Sequence, residues 1–243
     1  MFTDRVAIVT GGASDIGLAI ATRLVENGAK VAVWDINEER LSACETRFGD
    51  RILPQKVDVS IATQVDGAMA DVVKRWGAPG HLVNNAGVIG RRMSIAEFDE
   101  GEFDRVMAIN VKSVFLATRA FVRNSQGVSG RAIVNMSSIA KRTSGMAGNM
   151  VYAMTKGAIK TMTISFSKEL GPDVRVNALS PGIIDTEIQA AVFANKADMA
   201  KFLPAIFLGR IGEPVEVAEA ALWLLSSKSS YITGVTLDVS GGR

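Results

Sequence analysis

The sequence predicts an α/β fold, with one doubly wound parallel sheet and helices on both of its faces. Seven short segments rich in β-branched and other apolar residues recur along the 243-residue chain, and helical patterns lie between most of them. Strands that are continuously apolar are typical of parallel sheets buried on both faces. Because crossovers between parallel strands are right-handed, this alternation gives the doubly wound arrangement. No linker, repeat or low-complexity segment divides the chain, so we expect one domain over residues 1–243.

The predicted elements alternate regularly until late in the chain. Strands are expected at residues 6–10, 31–34, 56–59, 81–84, 132–136, 175–178 and 236–239. Helices are expected at residues 16–27, 38–48, 62–76, 102–124, 151–170 and 215–225. The first helix ends before Gly28, because glycine is typical of the position after a helix. Residues 183–208 depart from the alternation, since they are rich in Ala, Phe and Met and contain Pro204. We expect this segment to form a mobile flap over a site.

The composition excludes several classes of protein. A content of 48% hydrophobic and 21% charged residues is ordinary for a globular protein, and a net charge of +2 favours no nucleic-acid partner. Cys44 is the only cysteine, which excludes an intrachain disulfide and a cysteine-based metal site. His81, the only histidine, opens a predicted apolar strand, so we expect a structural role for it. Neither a membrane span nor a signal peptide is predicted, so we expect a cytoplasmic protein.

The stretch VAIVTGGASDIGLAIATRL, residues 6–24, reads as a strand, a turn of small residues and a helix. This context indicates a dinucleotide site, because glycine lets the backbone approach a phosphate and a helix N-terminus offers free N–H groups. Asp35 ends the second strand twenty-four residues after Gly11, where a carboxylate can bind the adenosine ribose and repel a 2′-phosphate. Since no arginine accompanies Asp35 and Ser14 is not basic, NAD is favoured over NADP. The alternative is that Asp35 merely caps the next helix.

Further polar residues follow the third and fourth predicted strands. Asp58 is placed to accept a hydrogen bond from an adenine amino group, and the fourth strand ends in the turn Asn84-Asn85-Ala86-Gly87. A turn or a helix cap would explain any one of these residues. Open α/β sheets, however, bind ligands at the carboxyl ends of their parallel strands. Because all of these residues lie at that edge, their joint placement favours a ligand site there.

Tyr152 and Lys156 stand four residues apart on a predicted helix, so their side chains share one helical face. A tyrosine has a pKa of roughly 10 and is a poor base at neutral pH. A nearby ammonium group stabilises the phenolate, so we expect Lys156 to lower the pKa of Tyr152 and to permit proton exchange with an alcohol or carbonyl oxygen. Ser138 leaves a strand 14 residues before Tyr152, where its hydroxyl can hydrogen-bond the same oxygen.

Taken together, these motifs resemble the short-chain dehydrogenase/reductase family over essentially the whole chain, and they imply its Rossmann-type fold. The matching pieces are residues 10–17, Asp35, residues 58–59, residues 84–87, Asn110, Ser138, Tyr152, Lys156, residues 181–182, Thr186 and Gly241-Gly242. The resemblance implies a catalytic tetrad of Asn110, Ser138, Tyr152 and Lys156. Tyr152 would be the acid/base, and Ser138, rather than Ser137, would position and polarise the substrate oxygen. Lys156 would also hold the nicotinamide ribose, and Asn110 would organise a helix kink and a proton-relay water.

The resemblance also implies which residues bind the cofactor and how the subunits assemble. Pro181 to Thr186 resemble the segment that cradles the nicotinamide, with Thr186 on its phosphates or carboxamide. The expected cofactor-binding set is Gly11, Ser14, Asp15, Ile16, Gly17, Asp35, Asp58, Val59, Asn85, Ala86, Gly87, Tyr152, Lys156, Pro181, Gly182, Ile184 and Thr186. Many family members are tetramers, so we expect a homotetramer, or a homodimer, with residues 112–124, residues 151–170 and the C-terminal strand at the interfaces.

One residue departs from the family pattern Thr-Gly-x-x-x-Gly-x-Gly, because Asp15 replaces its middle glycine. If the Asp15 carboxylate pointed at the cofactor pyrophosphate, two charges about 6 Å apart at an effective dielectric constant near 20 would repel by roughly 3 kcal/mol. If it instead capped the helix N-terminus and turned outward to solvent, the cost would be smaller. With the other motifs intact, we expect a working NAD site.

The leading interpretation is an NAD(P)-dependent oxidoreductase that interconverts a secondary alcohol and a ketone. One alternative is a 3-oxoacyl thioester reductase that uses NADPH. In that case Arg91, Arg92, Lys141 or Arg142 would meet phosphates of a carrier group; otherwise these residues are solvated surface charges. A third interpretation is a non-catalytic nucleotide sensor, and only Asp15 motivates it.

The substrate is expected to be a small-molecule alcohol or ketone in a partly apolar pocket, and sugar, polyol, cyclic diol and hydroxy-acyl substrates all stay open. Its walls would come from residues 89–93, 139–150 and 183–208. The apolar side chains of these segments could equally form a buried subunit interface, and they are Met146, Met150, Ile183, Ile188, Phe193, Met199 and Phe202.

Overall fold

The seven strands form one parallel sheet, seen in a computed structural model that describes residues 1–188 and 196–243. The strands are β1 (Val6–Thr10), β2 (Lys30–Asp35), β3 (Ile52–Lys56), β4 (His81–Asn84), β5 (Arg131–Met136), β6 (Val174–Pro181) and β7 (Thr236–Val239). Their order across the sheet is β3-β2-β1-β4-β5-β6-β7, and every neighbouring pair is parallel. The predicted fold class is confirmed.

Helices connect the strands and cover both faces of the sheet. They are α1 (Asp15–Glu26), α2 (Glu38–Phe48), α3 (Ala62–Trp76), α4 (Glu100–Met107), α5 (Ser113–Asn124), α6 (Ala140–Thr143), α7 (Met150–Leu170), α8 (Lys196–Ala200) and α9 (Pro214–Leu225). The long helix predicted over residues 102–124 is divided, because a π-helical turn, Ala108–Lys112, separates α4 from α5. This turn carries one of the predicted site residues, Asn110.

The third strand lies earlier than the sequence predicts. Strand β3 pairs with β2 from Ile52 to Lys56, whereas Val57 and Val59 lie beyond it, buried against the sheet. The alternating pattern at residues 57–59 is typical of a strand, but β2 ends at Asp35, whose carbonyl oxygen accepts a last main-chain hydrogen bond from Val57 at 2.9 Å. Pro54 is tolerated within β3 because this is an edge strand, where a missing N–H disrupts no second ladder. Asp58 therefore lies in the loop after the strand.

Two apolar layers sandwich the sheet. Ala7 and Val9 face one layer, in which α1, α2 and α9 pack, whereas Ile8 faces the other, in which α3 and α5 pack. Neighbouring residues of a strand point to opposite faces, so a run without polar residues serves both layers at once. The carboxyl ends of all seven strands consequently meet at one edge of the sheet.

His81 lies at the amino end of β4, opposite the edge where the predicted site residues lie. Its imidazole is buried and packs edge to face against Phe2, with the ring centroids 5.3 Å apart. Burial, together with the charges of Arg5 and Arg175, lowers the pKa of His81 to about 3. The imidazole is therefore neutral in the folded protein over the whole physiological range.

This lowered pKa predicts an acid-sensitive fold. Because the unfolded chain binds a proton near pH 6.5 and the folded chain does not, stability is complete above pH 6.5 and falls towards pH 3. The His81 contribution to the free energy of unfolding should be about 2 kcal/mol lower at pH 5 than at pH 7.5. Urea denaturation of the wild type and of His81→Leu at both pH values measures this. The prediction fails if the two proteins lose the same stability.

Candidate active site

A cleft of about 470 Å³ opens at the carboxyl edge of the sheet. Such a volume is within the range of small-molecule and cofactor sites. The predicted site residues that line it are Gly11, Ser14, Asp15, Ile16, Asp35, Asp58, Val59, Asn85, Ala86, Gly87, Ser138, Tyr152, Lys156, Pro181, Gly182, Ile184 and Thr186. Gly17 and Asn110 lie behind the wall of the cleft and contact residues that form it.

The glycine turn after β1 is packed against the turn after β4. Asn85 donates a side-chain hydrogen bond to the carbonyl oxygens of Thr10 and Gly11, at 3.1 and 2.9 Å. A Cβ atom at Gly11, whose φ is +59°, would lie 2.9 Å from the Cα of Ala86. A Cβ atom at Gly17 would lie 1.9 Å from the carbonyl oxygen of Gly11. There is therefore no room for a side chain at Gly11 or Gly17. The N-terminus of α1 borders the cleft, as a pyrophosphate site requires.

Asp15 points neither along its own helix nor outward. Its backbone has a φ of +49°, in the left-handed region that Asp tolerates better than most residues. Its carboxylate oxygen Oδ1 accepts a hydrogen bond of 3.0 Å from the main-chain N–H of Glu187, in the segment that follows β6. The alternative of a helix cap is therefore not seen, because the carboxylate is bound, in a solvent-exposed contact, by a residue 172 positions away.

Asp35 is joined to the glycine turn, and an arginine lies in the same cleft. The Asp35 carboxylate accepts hydrogen bonds from the main-chain N–H groups of Ala13 and Asn37, at 3.2 and 3.1 Å. The cap of α2 is Asn37, whose side chain accepts from the N–H of Arg40. Arg40 lines the cleft, so the expectation that no arginine accompanies Asp35 is wrong. Arg40 stands five residues after Asp35, in the first turn of the next helix, and this spacing was the signal in the sequence for a cation beside Asp35.

Asp58 and Val59 line the cleft just after β3. The Asp58 carboxylate accepts hydrogen bonds from the main-chain N–H and the hydroxyl of Ser60, at 2.9 and 2.6 Å. These bonds fix the turn that leads into α3. They also hold the carboxylate at the cleft edge where the adenine contact is expected.

The Tyr152 and Ser138 hydroxyl groups meet in the cleft. Tyr152 lies on α7 and Ser138 lies just after β5, and the Ser138 hydroxyl lies close enough to the Tyr152 hydroxyl to act on its pKa. The neighbouring hydroxyl, that of Ser137, is buried and donates to the carbonyl oxygen of Lys156 at 2.8 Å. Of the two serines, only Ser138 directs its hydroxyl towards Tyr152.

Burial dominates the acid-base properties of the tyrosine and the lysine. It raises the pKa of Tyr152 above the ordinary value, and the hydrogen bond from Ser138 acts in the opposite direction. It also lowers the pKa of Lys156 to about 8. The Lys156 Nζ atom lies 5.6 Å from the centre of the Tyr152 ring and donates to the Met136 carbonyl oxygen at 2.8 Å. The expectation that Lys156 brings the tyrosine pKa below its ordinary value is therefore wrong for this structure, because burial raises this pKa and Ser138, not Lys156, is the group that acts to lower it.

Asn110 connects three parts of the site from within the π-helical turn. Its side chain donates to the carbonyl oxygen of Val88 at 2.8 Å and accepts from the N–H of the same residue at 2.8 Å. It also donates to the hydroxyl of Thr155 on α7, at 3.1 Å. A Cβ atom at Gly87 would lie 3.2 Å from Asn110 Oδ1 and 3.4 Å from Lys156 Nζ. Asn110 thus fixes the loop after β4 against the helix that carries Tyr152, and the helix kink implied for it is present.

The segment after β6 closes the remaining side of the cleft. Pro181 accepts a main-chain hydrogen bond from Ile139 at 3.1 Å, which places it beside the Ser138 turn. Gly182 packs so closely that a Cβ atom there would lie 2.8 Å from the Cα of Ser240. Ile184 forms an isolated parallel bridge with Gly212, and Thr186 continues along the cleft.

Part of the predicted flap packs as a small apolar cluster. Ile183, Met199 and Ile206 are buried together, and Met146 and Phe202 pack against them. Ile188 lines the cofactor cleft instead. The central flap residues 189–195, which include Phe193, lie outside the described part of the chain.

The basic residues near the site differ in environment. The Lys141 side chain is only 8% exposed, and its ammonium group contacts Ser180 at 2.7 Å and Asp238 at 2.6 Å. Arg142 also pairs with Asp238, at 3.3 Å. Lys141 is therefore neither a solvated charge nor free to meet a carrier phosphate. Arg91 and Arg92 remain exposed, and Arg92 donates to the carbonyl oxygen of Ala147 at 3.0 Å.

Within residues 1–188 and 196–243, no cluster of three or more metal-ligating side chains occurs. Among the helices in these same ranges, none has the length and apolar character needed to cross a bilayer.

Known proteins match this chain along nearly all of its length. A family model described as enoyl-(acyl carrier protein) reductase matches residues 11–243. An uncharacterized oxidoreductase of Mycobacterium bovis is 39% identical over 242 residues, which cover 98% of this chain and 96% of the relative.

Two crystal structures from Brucella melitensis share the fold. One is a short-chain dehydrogenase/reductase described as a glucose/ribitol dehydrogenase, with 32% identity, a TM-score of 0.93, and coverage of 99% of this chain and 97% of the other. The second is a 3-ketoacyl-(acyl-carrier-protein) reductase complexed with NADH, with 32% identity, a TM-score of 0.91, and coverage of 100% and 99%. The chain therefore belongs to the short-chain dehydrogenase/reductase family, whose members are NAD(P)(H)-using oxidoreductases that act on CH–OH groups.

Proposed function

We propose that the protein is an NAD(H)-dependent oxidoreductase that interconverts a secondary alcohol and a ketone. The observation that carries this proposal is that the hydroxyl-bearing side chains of Ser138 and Tyr152 line the cleft together, beside the Lys156 ammonium group. Two hydroxyl donors that converge on one point can bind a single carbonyl or alcohol oxygen together. The adjacent Pro181 belongs to the segment expected to cradle the nicotinamide, so substrate and cofactor would meet there.

In the proposed mechanism a bound nicotinamide supplies or accepts the hydride. During reduction the Tyr152 phenol donates its proton to the carbonyl oxygen, and during oxidation a Tyr152 phenolate accepts the alcohol proton. Ser138 donates a hydrogen bond to the same oxygen, and the Lys156 ammonium stabilises the phenolate. Because burial raises the pKa of Tyr152, the phenol is the resting form at neutral pH. Ketone reduction starts from this protonated form, whereas alcohol oxidation requires the phenol to lose its proton first.

The preference for NAD(H) rests on the charges around the ribose end of the cleft. The Asp35 carboxylate lies there, and Arg40 is paired with Glu187 at 2.5 Å rather than left as a free cation for a 2′-phosphate. A 2′-phosphate would therefore meet the Asp35 carboxylate, and it would gain the Arg40 cation only by competing with Glu187.

Calorimetric titration with NAD⁺, NADH, NADP⁺ and NADPH tests this preference. We expect NADH to bind at least about tenfold more tightly than NADPH, and Asp35→Asn to reduce that ratio by removing the repelling charge. The matched control is Asp66→Asn, which removes an exposed carboxylate of α3 that does not line the cleft. Equal or tighter binding of NADPH by the wild type would contradict the assignment of NAD(H).

The alternative is a 3-oxoacyl thioester reductase that uses NADPH. The family model and one of the Brucella structures carry acyl-carrier-protein reductase descriptions, and Arg91 and Arg92 are exposed on a loop expected to border the substrate pocket. Turnover of a 3-oxoacyl thioester at a higher rate than any simple ketone would favour this alternative. A non-catalytic sensor is favoured less, because the Asp15 carboxylate accepts a hydrogen bond from the Glu187 N–H and so has a structural role that needs no loss of cofactor binding.

The proposal includes a cytoplasmic homotetramer, or a homodimer, with residues 183–208 as a flap over the substrate. Phe115, Met154 and Ile164 leave apolar side chains exposed on α5 and α7, the helices expected at one interface. Leu237 is similarly exposed on the edge strand β7, which is expected at the other. Sedimentation equilibrium measures the assembly directly.

A further inference from the structure

Asp15 and Glu187 join two parts of the chain that face each other across the cofactor cleft. Asp15 is the first residue of α1, directly after the turn that follows β1, and Glu187 follows Thr186 after β6. The hydrogen bond from the Glu187 N–H to Asp15 Oδ1 measures 3.0 Å. Because Thr186 and Ile188 line the cleft on either side of Glu187, this bond fixes the main chain of the lining segment itself.

Arg40 holds the side chain of the same residue from a third element. Its guanidinium group, on α2, lies 2.5 Å from the Glu187 carboxylate. Glu187 is therefore held by its main chain on one side and by its side chain on the other. We name Asp15, Arg40 and Glu187 the clasp.

The clasp gives a reason for an acidic residue where the family pattern has glycine. The φ of +49° at Asp15 is one that glycine adopts without strain, so the side chain is not there to suit the backbone. The Asp15 side chain makes no described capping hydrogen bond within α1, and neither does the side chain of the N-cap residue Ser14. Its one described hydrogen bond crosses to Glu187, and glycine could not form it.

We propose that Asp15 and Arg40 are positioning residues that hold the Thr186–Glu187 segment across the cofactor and thereby prolong the lifetime of bound NADH. This inference rests on the proposed binding of NAD(H) in the cleft. The clasp spans the cleft mouth between the phosphate turn and the segment expected to contact the nicotinamide half. Release of either contact would free the Thr186–Glu187 segment to move away from a bound nucleotide.

The first experiment examines the clasp without any nucleotide. Amide hydrogen exchange of the peptide containing Glu187 is compared in the wild type, Asp15→Gly and Asp15→Asn. Asp15→Gly removes the acceptor, so exchange should be about three- to tenfold faster, a modest range because the contact is solvent-exposed. Asp15→Asn keeps a side-chain oxygen at the same place and should exchange at nearly the wild-type rate.

The second experiment measures NADH dissociation by stopped-flow fluorescence in the same proteins. Both substitutions remove one negative charge from the phosphate turn, so their comparison cancels electrostatic repulsion of the pyrophosphate. We expect dissociation from Asp15→Gly to be about three- to tenfold faster than from Asp15→Asn, which should be no faster than the wild type. Glu187→Gln, which breaks only the ion pair with Arg40, should fall between the wild type and Asp15→Gly.

Two results would overturn the inference. One is equal NADH dissociation from Asp15→Gly and Asp15→Asn, which would reduce the role of Asp15 to its charge. The other is unchanged exchange at Glu187 in Asp15→Gly, which would show that the bond does not hold the segment. Failure of the wild type to bind NADH would instead contradict the proposed function. The hydrogen-exchange experiment would then still test whether the hydrogen bond between Asp15 and Glu187 holds the segment.

Discussion

Replacing Tyr152 with phenylalanine should lower kcat by about 10²- to 10⁴-fold for any substrate that the wild type turns over, because the proton donor of the reaction is lost. The ring remains and only the hydroxyl is removed. The packing around Lys156 and the fold should therefore change little. NADH affinity should stay within a few fold of the wild type, since Tyr152 lies at the reacting end of the cleft.

The chain provides a matched control, because Tyr231 is its only other tyrosine and is fully exposed. Tyr231→Phe removes the same atom and should leave kcat unchanged. Steady-state kinetics of both variants, together with fluorescence titration of NADH, separate a lost catalytic group from a damaged cofactor site. Retention of full turnover by Tyr152→Phe would refute its assignment as the acid/base.

The sheet was predictable from the sequence because burial on both faces leaves a simple pattern. A strand such as Val6–Thr10 must present apolar side chains to two layers, so it contains no solvent-facing positions that interrupt the run. The apolar pattern predicts the wrong strand bounds where residues stay buried beyond the last residue that pairs with a neighbouring strand. Val57 and Val59 are buried like strand residues, yet β2 has already ended at Asp35, and a sequence does not indicate where a neighbouring strand stops.

Most of the cleft was predictable because its residues follow strands whose carboxyl ends meet at one edge. The roles of charged residues were harder to predict, since they depend on contacts between distant segments. No residue near Asp15 in the sequence indicates that Asp15 contacts Glu187. Likewise, no residue near Lys141 indicates that Lys141 is buried and forms an ion pair with Asp238. The raised pKa of Tyr152 was equally hard to predict from the sequence, because the loss of hydration that raises it depends on the whole surrounding fold.

A buried glycine in α1 should be as indispensable as the tyrosine. In Gly17→Ala the new methyl group would lie 1.9 Å from the Gly11 carbonyl oxygen and 2.6 Å from Asn85 Nδ2. The first of these atoms is main chain, so the turn and α1 must separate. We expect a loss of about 3 kcal/mol or more in the free energy of unfolding and at least about a hundredfold loss in NADH affinity.

Gly67→Ala is the matched control, because Gly67 also lies within a helix but a Cβ atom there meets nothing within 4 Å. Alanine loses less conformational entropy than glycine on forming a helix, so this variant should be about 0.5–1 kcal/mol more stable than the wild type, with unchanged NADH binding. Urea denaturation and calorimetric titration of both variants measure the contrast. The same chemical change should thus have opposite effects at the two positions. If Gly17→Ala kept wild-type stability and NADH affinity, the close contact between the phosphate turn and α1 would not be what shapes the cofactor site.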